Sequence, residues 1–136
     1  MSTANIQALV QFRLEQADEA LRAAGILHKA RASRETINRA YYAMFYAVLA
    51  LLAVEKKETS KHKGAIALFD LDFVKTGIFT KEFSEWLHEA FDLRLDADYA
   101  PFYVPSAEDA ERVMQNARSF ISAVKAHLAD FLRSPE

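Results

Sequence analysis

The stretch Asn38–Tyr46, which reads Asn-Arg-Ala-Tyr-Tyr-Ala-Met-Phe-Tyr, leads into the longest apolar run of the chain, residues 40–54. Its large side chains fall on two faces of a helix, one with Tyr41 and Phe45 and the other with Tyr42 and Tyr46. A helix that is apolar on two faces must be covered on both of them. The stretch therefore predicts a central, mostly buried helix and an all-α fold built around it.

Helical periodicity continues on both sides of this stretch, and no segment has the alternation of a strand. The predicted helices are residues 5–28, 33–55, 60–75, 80–99 and 106–133, with predicted N-caps at Thr3, Ser33, Ser60 and Ser106. Pro101 and Pro105 bracket a short aromatic loop before the last helix. The sequence predicts a five-helix bundle forming one domain over residues 1–136.

Composition excludes several classes of protein. The 136 residues carry a net charge of −2, so any site for a polyanion must be a local patch. The absence of cysteine excludes disulfides, thiolate zinc sites and cysteine nucleophiles. The apolar run contains three tyrosines and is predicted to be too short and too polar to span a bilayer. We expect a cytoplasmic protein that needs no metal or other cofactor.

Arg94, Asp98 and Tyr99 form the first candidate site, at the end of the predicted fourth helix. The guanidinium of arginine is planar and permanently charged, which suits it to bind phosphate. Asp98 lies four residues after Arg94, so an intrahelical ion pair explains the spacing equally well. The two interpretations are compatible, because an acid that orients an arginine supports ligand binding.

Lys61, His62 and Lys63 form the second candidate site, in the first turn of the predicted third helix. Free amides at a helix N-terminus attract anions, and nearby cations strengthen the effect. A solvated basic turn is the simpler explanation. The other three histidines (His28, His88 and His127) lie in helical stretches without matching acids, and they are predicted to be surface or packing residues.

Asn38, Arg39, Tyr42 and Tyr46 form the third candidate site, on the central helix. Arg39 could bind phosphate, while Asn38 and Tyr42 could support it. The alternative is an ordinary core whose tyrosine hydroxyls reach the surface or a neighbouring backbone.

The chain resembles prokaryotic HEPN-domain proteins, and more narrowly a small stand-alone branch with an arginine and a late Ala-Asp-Tyr. The resemblance covers about residues 5–133 and is carried by the segments Asn38–Tyr46, Ser60–Gly64, Phe73–Gly77 and Leu93–Tyr99. It implies an antiparallel up-and-down bundle, usually a homodimer. It also implies a toxin–antitoxin pair with a minimal nucleotidyltransferase.

Active members of the wider family are metal-independent ribonucleases, in which an arginine binds the phosphate and a histidine four to six residues later moves a proton. Arg94 matches the arginine, and Tyr99 stands near the place of the histidine. Tyrosine has a pKa near 10 against about 6.5 for histidine, which makes it a poor general base at pH 7. His62 is the alternative proton carrier if the third helix begins near Arg94.

Three functions follow. The first is a module that binds RNA or nucleotide phosphate through Arg94 together with Lys61, Lys63 and Arg39. The second is an active ribonuclease toxin in which Arg94, Asp98, Tyr99 and His62 are catalytic. The third is a structural dimerisation module without a polyanion site.

Overall fold

The computed structural model describes residues 2–59 and 61–135, and within them it is entirely helical apart from turns and loops. The helices are α1 (Thr3–Lys29), α2 (Ser33–Val54), α3 (His62–Phe69), α4 (Lys81–Tyr99) and α5 (Ala107–Arg133), and a π-helical segment, Asp70–Val74, continues α3. The prediction of an all-α, five-helix, up-and-down bundle is confirmed.

Helix α2 is the centre of the bundle, as predicted. It packs against α1, α3, α4 and α5, and most of its residues are buried. By length and composition α2 could cross a membrane, contrary to the sequence prediction, because the helix extends seven residues before the apolar run. However, 67% of its most apolar window is buried inside the bundle. This burial identifies α2 as the core helix of the bundle.

One face of α2 is incompletely covered. Its half-buried residues recur at steps of three or four and form a stripe, which we call the α2 stripe: Asn38, Tyr42, Tyr46 and Leu49. Residues at these spacings lie on the same side of a helix. The stripe is therefore the part of the central helix that faces outward between its neighbours.

Two predicted N-caps were wrong by one residue. Ser2, rather than Thr3, caps α1, and its Oγ accepts a hydrogen bond of 3.1 Å from the amide of Asn5. Ser33 is the first residue of α2, and Ala32 occupies the cap position without a side-chain bond. The start of α2 is hard to predict from the sequence. The chain turns between α1 and α2 at Arg31, which has the left-handed φ of 63° that glycine usually adopts after a helix.

The other two predicted caps have different outcomes. Ser106 caps α5, since its Oγ accepts a hydrogen bond of 2.9 Å from the amide of Asp109. The predicted cap Ser60 lies outside the described residues. The predicted third helix is divided, because after Phe69 the backbone widens to a π turn in which the Lys75 amide donates to the Asp70 carbonyl at 2.9 Å. Gly77 then turns the chain at φ 83°.

Candidate functional site

Two arginines from different helices meet at the ring of Tyr42 in the α2 stripe. The guanidinium carbon of Arg39 lies 5.0 Å from the ring centroid, and that of Arg94 on α4 lies 5.4 Å from it. Arg94 Nη2 also donates to the Tyr42 hydroxyl at 3.4 Å. Cations are attracted to the face of an aromatic ring. Tyr42 therefore has two guanidinium groups as neighbours.

Each arginine has a polar partner on its own helix. Asn38 Oδ1 accepts from Arg39 Nε at 3.1 Å and from Nη2 at 3.0 Å. The predicted intrahelical ion pair is present, with Asp98 Oδ2 3.2 Å from Arg94 Nε. That contact lacks hydrogen-bond geometry, so the buried Nε has no hydrogen-bond partner among the described residues. Asp98 therefore attracts the Arg94 guanidinium by charge, and only the 14% of the Arg94 side chain that is exposed can meet the oxygens of a ligand.

His62 belongs to the same cluster. Its ring stacks on Phe45 with centroids 4.3 Å apart and meets the edge of Tyr42 at 5.6 Å. Its Nδ1 lies 2.6 Å from the Tyr41 hydroxyl. Burial, and secondly the positive charge of Arg94, lowers the pKa of His62 below its ordinary value of 6.5. This direction favours the neutral imidazole, and the His62 ring and Arg94 both contact the ring of Tyr42.

Tyr41 is a site residue that the sequence reasoning did not select. It is fully buried, and burial raises the pKa of its hydroxyl, which remains protonated. The hydroxyl either donates to His62 Nδ1, which leaves a proton on Nε2, or accepts from it, which leaves Nε2 free as a base. The available signal was a tyrosine on an apolar helix face, because a buried hydroxyl needs a partner.

Three candidates from the sequence lie outside this cluster. Tyr99 is 72% exposed, and no contact among the described residues joins it to Arg94. Tyr99 lies five residues after Arg94, so its side chain points about 140° away from that of Arg94 around the helix. Asp98 lies four residues after Arg94, and its side chain is only about 40° away. Lys61 and Lys63 are exposed at the start of α3, and no contact in the described part of the chain joins either to Arg94.

The other histidines differ partly from expectation. His28 Nε2 is 2.6 Å from Glu111 Oε2 on α5, and His88 Nε2 is 2.7 Å from Asp70 Oδ2. The prediction that they lack acidic partners was wrong, because the acids come from distant parts of the chain. Residues 2–59 and 61–135 contain no group of three or more His, Cys, Asp or Glu side chains placed to hold a metal ion.

The cluster has the chemistry of a phosphate site. Two guanidinium groups and the imidazole of His62 surround the ring of Tyr42, and Asp98 forms an ion pair with one of them, Arg94. Guanidinium groups bind phosphate through paired, charge-assisted hydrogen bonds. The neighbouring imidazole could donate or accept a proton at the same ligand.

Comparison with known proteins gives a consistent result. The sequence profile of the HEPN domain matches residues 10–127. A protein of Methanocaldococcus jannaschii that is named as a candidate toxin is 34% identical over 128 residues, which cover 94% of this chain and 95% of the relative. A UPF0332 protein of Thermotoga maritima is 31% identical over 128 residues, covering 94% of this chain and 97% of the relative.

Proposed function

This chain belongs to the HEPN-domain family, and we propose that it is a toxin-like module that binds the phosphates of RNA or of a nucleotide. The observation that carries the proposal is the pair of guanidinium groups, Arg39 and Arg94, on the ring of Tyr42. Two neighbouring cations repel each other, and a bound phosphate offsets that repulsion because it attracts both of them. The naming of two relatives as candidate toxins supports the toxin-like part.

The proposal includes two protein partners. The module acts as a homodimer, and it pairs with a minimal nucleotidyltransferase that serves as its antitoxin in the cytoplasm. Co-expression with a minimal nucleotidyltransferase from the same genome, followed by purification through a tag on one partner, tests the pairing. A stable complex of the two folded proteins is expected, and two folded proteins that never co-purify would contradict it.

Binding to a single-stranded RNA oligonucleotide tests the phosphate site. Arg94→Ala removes a charge-assisted contact, so we expect the Kd to rise about 10- to 100-fold. The slope of log K against log salt should fall by about 0.7, the value for one phosphate contact on a single strand. Arg39→Ala should act in the same direction. Fluorescence anisotropy over a series of salt concentrations measures both quantities.

The matched control is Arg133→Ala. Arg133 is an exposed arginine on α5, and its side chain pairs with Asp130 three residues earlier. Its removal should leave both the affinity and the salt slope unchanged. Equal losses of RNA affinity in all three variants would show that the RNA is attracted to positive charge anywhere on the protein. A folded wild-type protein without salt-dependent binding would favour the structural dimerisation module instead.

The position of His62 favours a second candidate function, metal-independent RNA cleavage. In this reaction the 2′-hydroxyl attacks the adjacent phosphorus, His62 takes its proton, and Arg94 stabilises the charge on the phosphoryl oxygens. The bond to the 5′-oxygen of the next nucleotide breaks, and that oxygen gains a proton. The products are a 2′,3′-cyclic phosphate and a 5′-hydroxyl. The supporting observation is that the His62 ring and the Arg94 guanidinium both contact the ring of Tyr42. Burial and the charge of Arg94 also lower the pKa of His62, which favours the form that accepts a proton.

Cleavage of labelled RNA in EDTA tests this candidate. We expect His62→Gln to lower the cleavage rate at least about 100-fold, the scale of general acid–base catalysis, while RNA binding is retained. Tyr99→Phe tests the predicted catalytic role of Tyr99, and its exposed position leads us to expect an unchanged rate. Cleavage that His62→Gln leaves intact, or that a folded wild type lacks, would rule out the mechanism.

A further inference from the structure

The loop between α4 and α5 is apolar and exposed. Phe102 is fully exposed, Val104 is 80% exposed, and Tyr99 just before the loop is 72% exposed. Phe102 also has a φ of 66°, a left-handed conformation that is unfavourable for a residue with a side chain. Its exposed ring gains no packing within the bundle in return. Backbone strain combined with an exposed aromatic side chain indicates a contact made outside the protomer.

Acidic side chains surround this loop. Asp96 lies near the end of α4, and Glu108 and Asp109 lie in the first turn of α5. Burial, and then the negative charges of Asp109 and Asp96, raises the pKa of Tyr103 in the middle of the loop, which places these acids close to it. Arg112 is nearby and is shared between Asp109 and Glu89. Arg112 and Arg34 offset part of this charge, but Asp96 and Glu108 have no ion pair among the described residues. The loop thus presents apolar side chains with two unpaired acids at its rim.

A cleft with the opposite charge lies at the far end of α2. It has a volume of about 890 Å³, its apolar walls include Leu9 and Leu49, and its rim carries Arg13, Lys56 and Lys61. Lys57 also lines it but is bound to Asp72 at 2.6 Å, and Glu58 is the acid in its wall. We call it the basic cleft. An open cleft with some apolar walls and a basic rim fits an apolar segment that carries acids.

The loop and the basic cleft lie at opposite ends of the same helix. Arg34 at the start of α2 donates from Nη2 to the Tyr103 carbonyl at 2.9 Å and so ties the loop to that end. Leu49 and Lys56 place the cleft at the other end. The separation from Arg34 to Leu49 is about 22 Å along the helix axis, at 1.5 Å per residue. The half-buried α2 stripe runs between the two.

We propose that a second copy of this chain occupies the basic cleft, with Phe102 and Val104 of each protomer packed into the cleft of the other. A two-fold axis across the α2 stripe near Tyr46 makes the two α2 helices antiparallel. Tyr42 lies about 6 Å from Tyr46 along the helix, so the two phosphate sites border this interface. Each loop then lies over the partner's cleft, and the interface consists of two identical contacts. The inference rests on the homodimer of the proposed function and assigns the surfaces that form it.

The charges favour a second copy over nucleic acid in this cleft. Phosphates would use Arg13, Lys56 and Lys61 but would leave the apolar walls of the cleft unpaired. The loop supplies both an apolar surface and a set of acids, and it belongs to the same chain. Oppositely charged surfaces that carry apolar centres are typical of specific protein interfaces.

Charge reversal on each side tests the contact by sedimentation. We expect the wild type to be a dimer, and both Lys56→Glu/Lys61→Glu and Asp96→Lys/Glu108→Lys to be monomers at the same concentration. An equimolar mixture of the two variants should restore a dimer, because the reversed loop meets the reversed cleft and the second contact is wild type. Circular dichroism checks that both variants keep their helices.

A second variant separates loss of the contact from loss of folding. Phe102→Gly relieves the left-handed strain, so the monomer should unfold at a higher denaturant concentration while the dimer weakens at least about tenfold. Ile26→Ser, which changes an exposed side chain on α1, should leave the dimer intact. Arg94→Ala should also remain a dimer, so a failure of RNA binding alone leaves this inference standing.

Several outcomes would overturn the inference. They are a wild type that stays monomeric, a dimer that tolerates both charge reversals, and two monomeric variants that do not associate when mixed. Cleft variants that stay dimeric but lose RNA binding would assign the cleft to a polyanion instead.

Discussion

Tyr42 organises the candidate site because its ring contacts the guanidinium groups of both Arg39 and Arg94. Asn38 and Asp98 then set the direction of each arginine. The energy of each cation–π contact is on the order of 1 kcal/mol. At low salt, where the two guanidinium groups repel each other most, the ring alone does not offset this repulsion. The arrangement is explained more fully if an anion binds between them.

The pKa of His62 provides a prediction at the residue scale. Burial is the larger cause that lowers it below 6.5, and Arg94 is the second. Arg94→Ala should therefore raise the pKa of His62 without returning it to 6.5. A titration of the imidazole protons by NMR measures this value, with Arg133→Ala as a control that should not move it. A pKa that is unaffected by Arg94→Ala would place the two groups farther apart than the structure does.

The lowered pKa of His62 also determines how this residue changes the free energy of unfolding as the pH changes. Its pKa is lower in the folded protein than in the unfolded chain, so the unfolded chain binds more protons between the two values. The free energy of unfolding should therefore fall as the pH decreases from about 6.5 towards the folded pKa. His62→Gln should reduce this pH dependence in urea titrations. A pH dependence that His62→Gln leaves unchanged would contradict the burial of the imidazole.

Two glycines provide a prediction at the scale of the elements. Gly77 has a φ of 83° and lies in the turn after the π-helical segment, whereas Gly25 lies inside α1. Gly77→Ala should lower the free energy of unfolding by about 1 kcal/mol through strain, since no atom lies within 4 Å of the added methyl. Chemical denaturation of the purified variant measures the change.

Gly25→Ala is the matched control. The methyl group would lie 3.6 Å from Arg118 Nη2, an ordinary contact with a flexible side chain. Alanine is favoured over glycine inside a helix, so this variant should gain about 0.5–1 kcal/mol. Effects of the same sign at the two positions would mean that the backbone conformation at Gly77 differs from the one described.

The ends of the helices show which local rules held. Ser106 was predicted to cap α5 and does so, because a cap needs only its own side chain and an amide three residues later. The start of α2 was misplaced because Arg31 adopts a left-handed turn that its residue type does not indicate. The π turn after Phe69 has no glycine or proline to indicate it, since its position depends on how the chain packs.

The central position of α2 provides a prediction for the whole molecule. Leu52 is fully buried on this helix, whereas Leu71 is 54% exposed. Leu52→Ala should lower the free energy of unfolding by about 2–5 kcal/mol, the range for cavities in a core that cannot collapse. Leu71→Ala should change it by no more than about 0.5 kcal/mol. A similar loss at both positions would contradict the central role of α2.

The number and order of the α-helices followed from the sequence, whereas the π-helical segment after Phe69 did not. Helical periodicity, caps and turn residues act over a few positions, and the breadth of the apolar surface on Asn38–Tyr46 marked α2 as the central helix. Arg94, Asp98, Arg39, Asn38 and Tyr42 were also recognised as candidates. Their pairwise contacts within a helix depend on spacing alone, as the pairs Arg94–Asp98 and Arg39–Asn38 show.

The tertiary structure decided which of these groups meet across helices. It brought His62 and Tyr41 beside Arg94, placed Tyr99 in solvent, and gave His28 and His88 acidic partners far along the chain. The physical reason is that each helical residue turns the chain by about 100°, so a shift of one position redirects a side chain. Contacts between helices therefore depend on how the helices pack, and spacing along the chain does not reveal that packing.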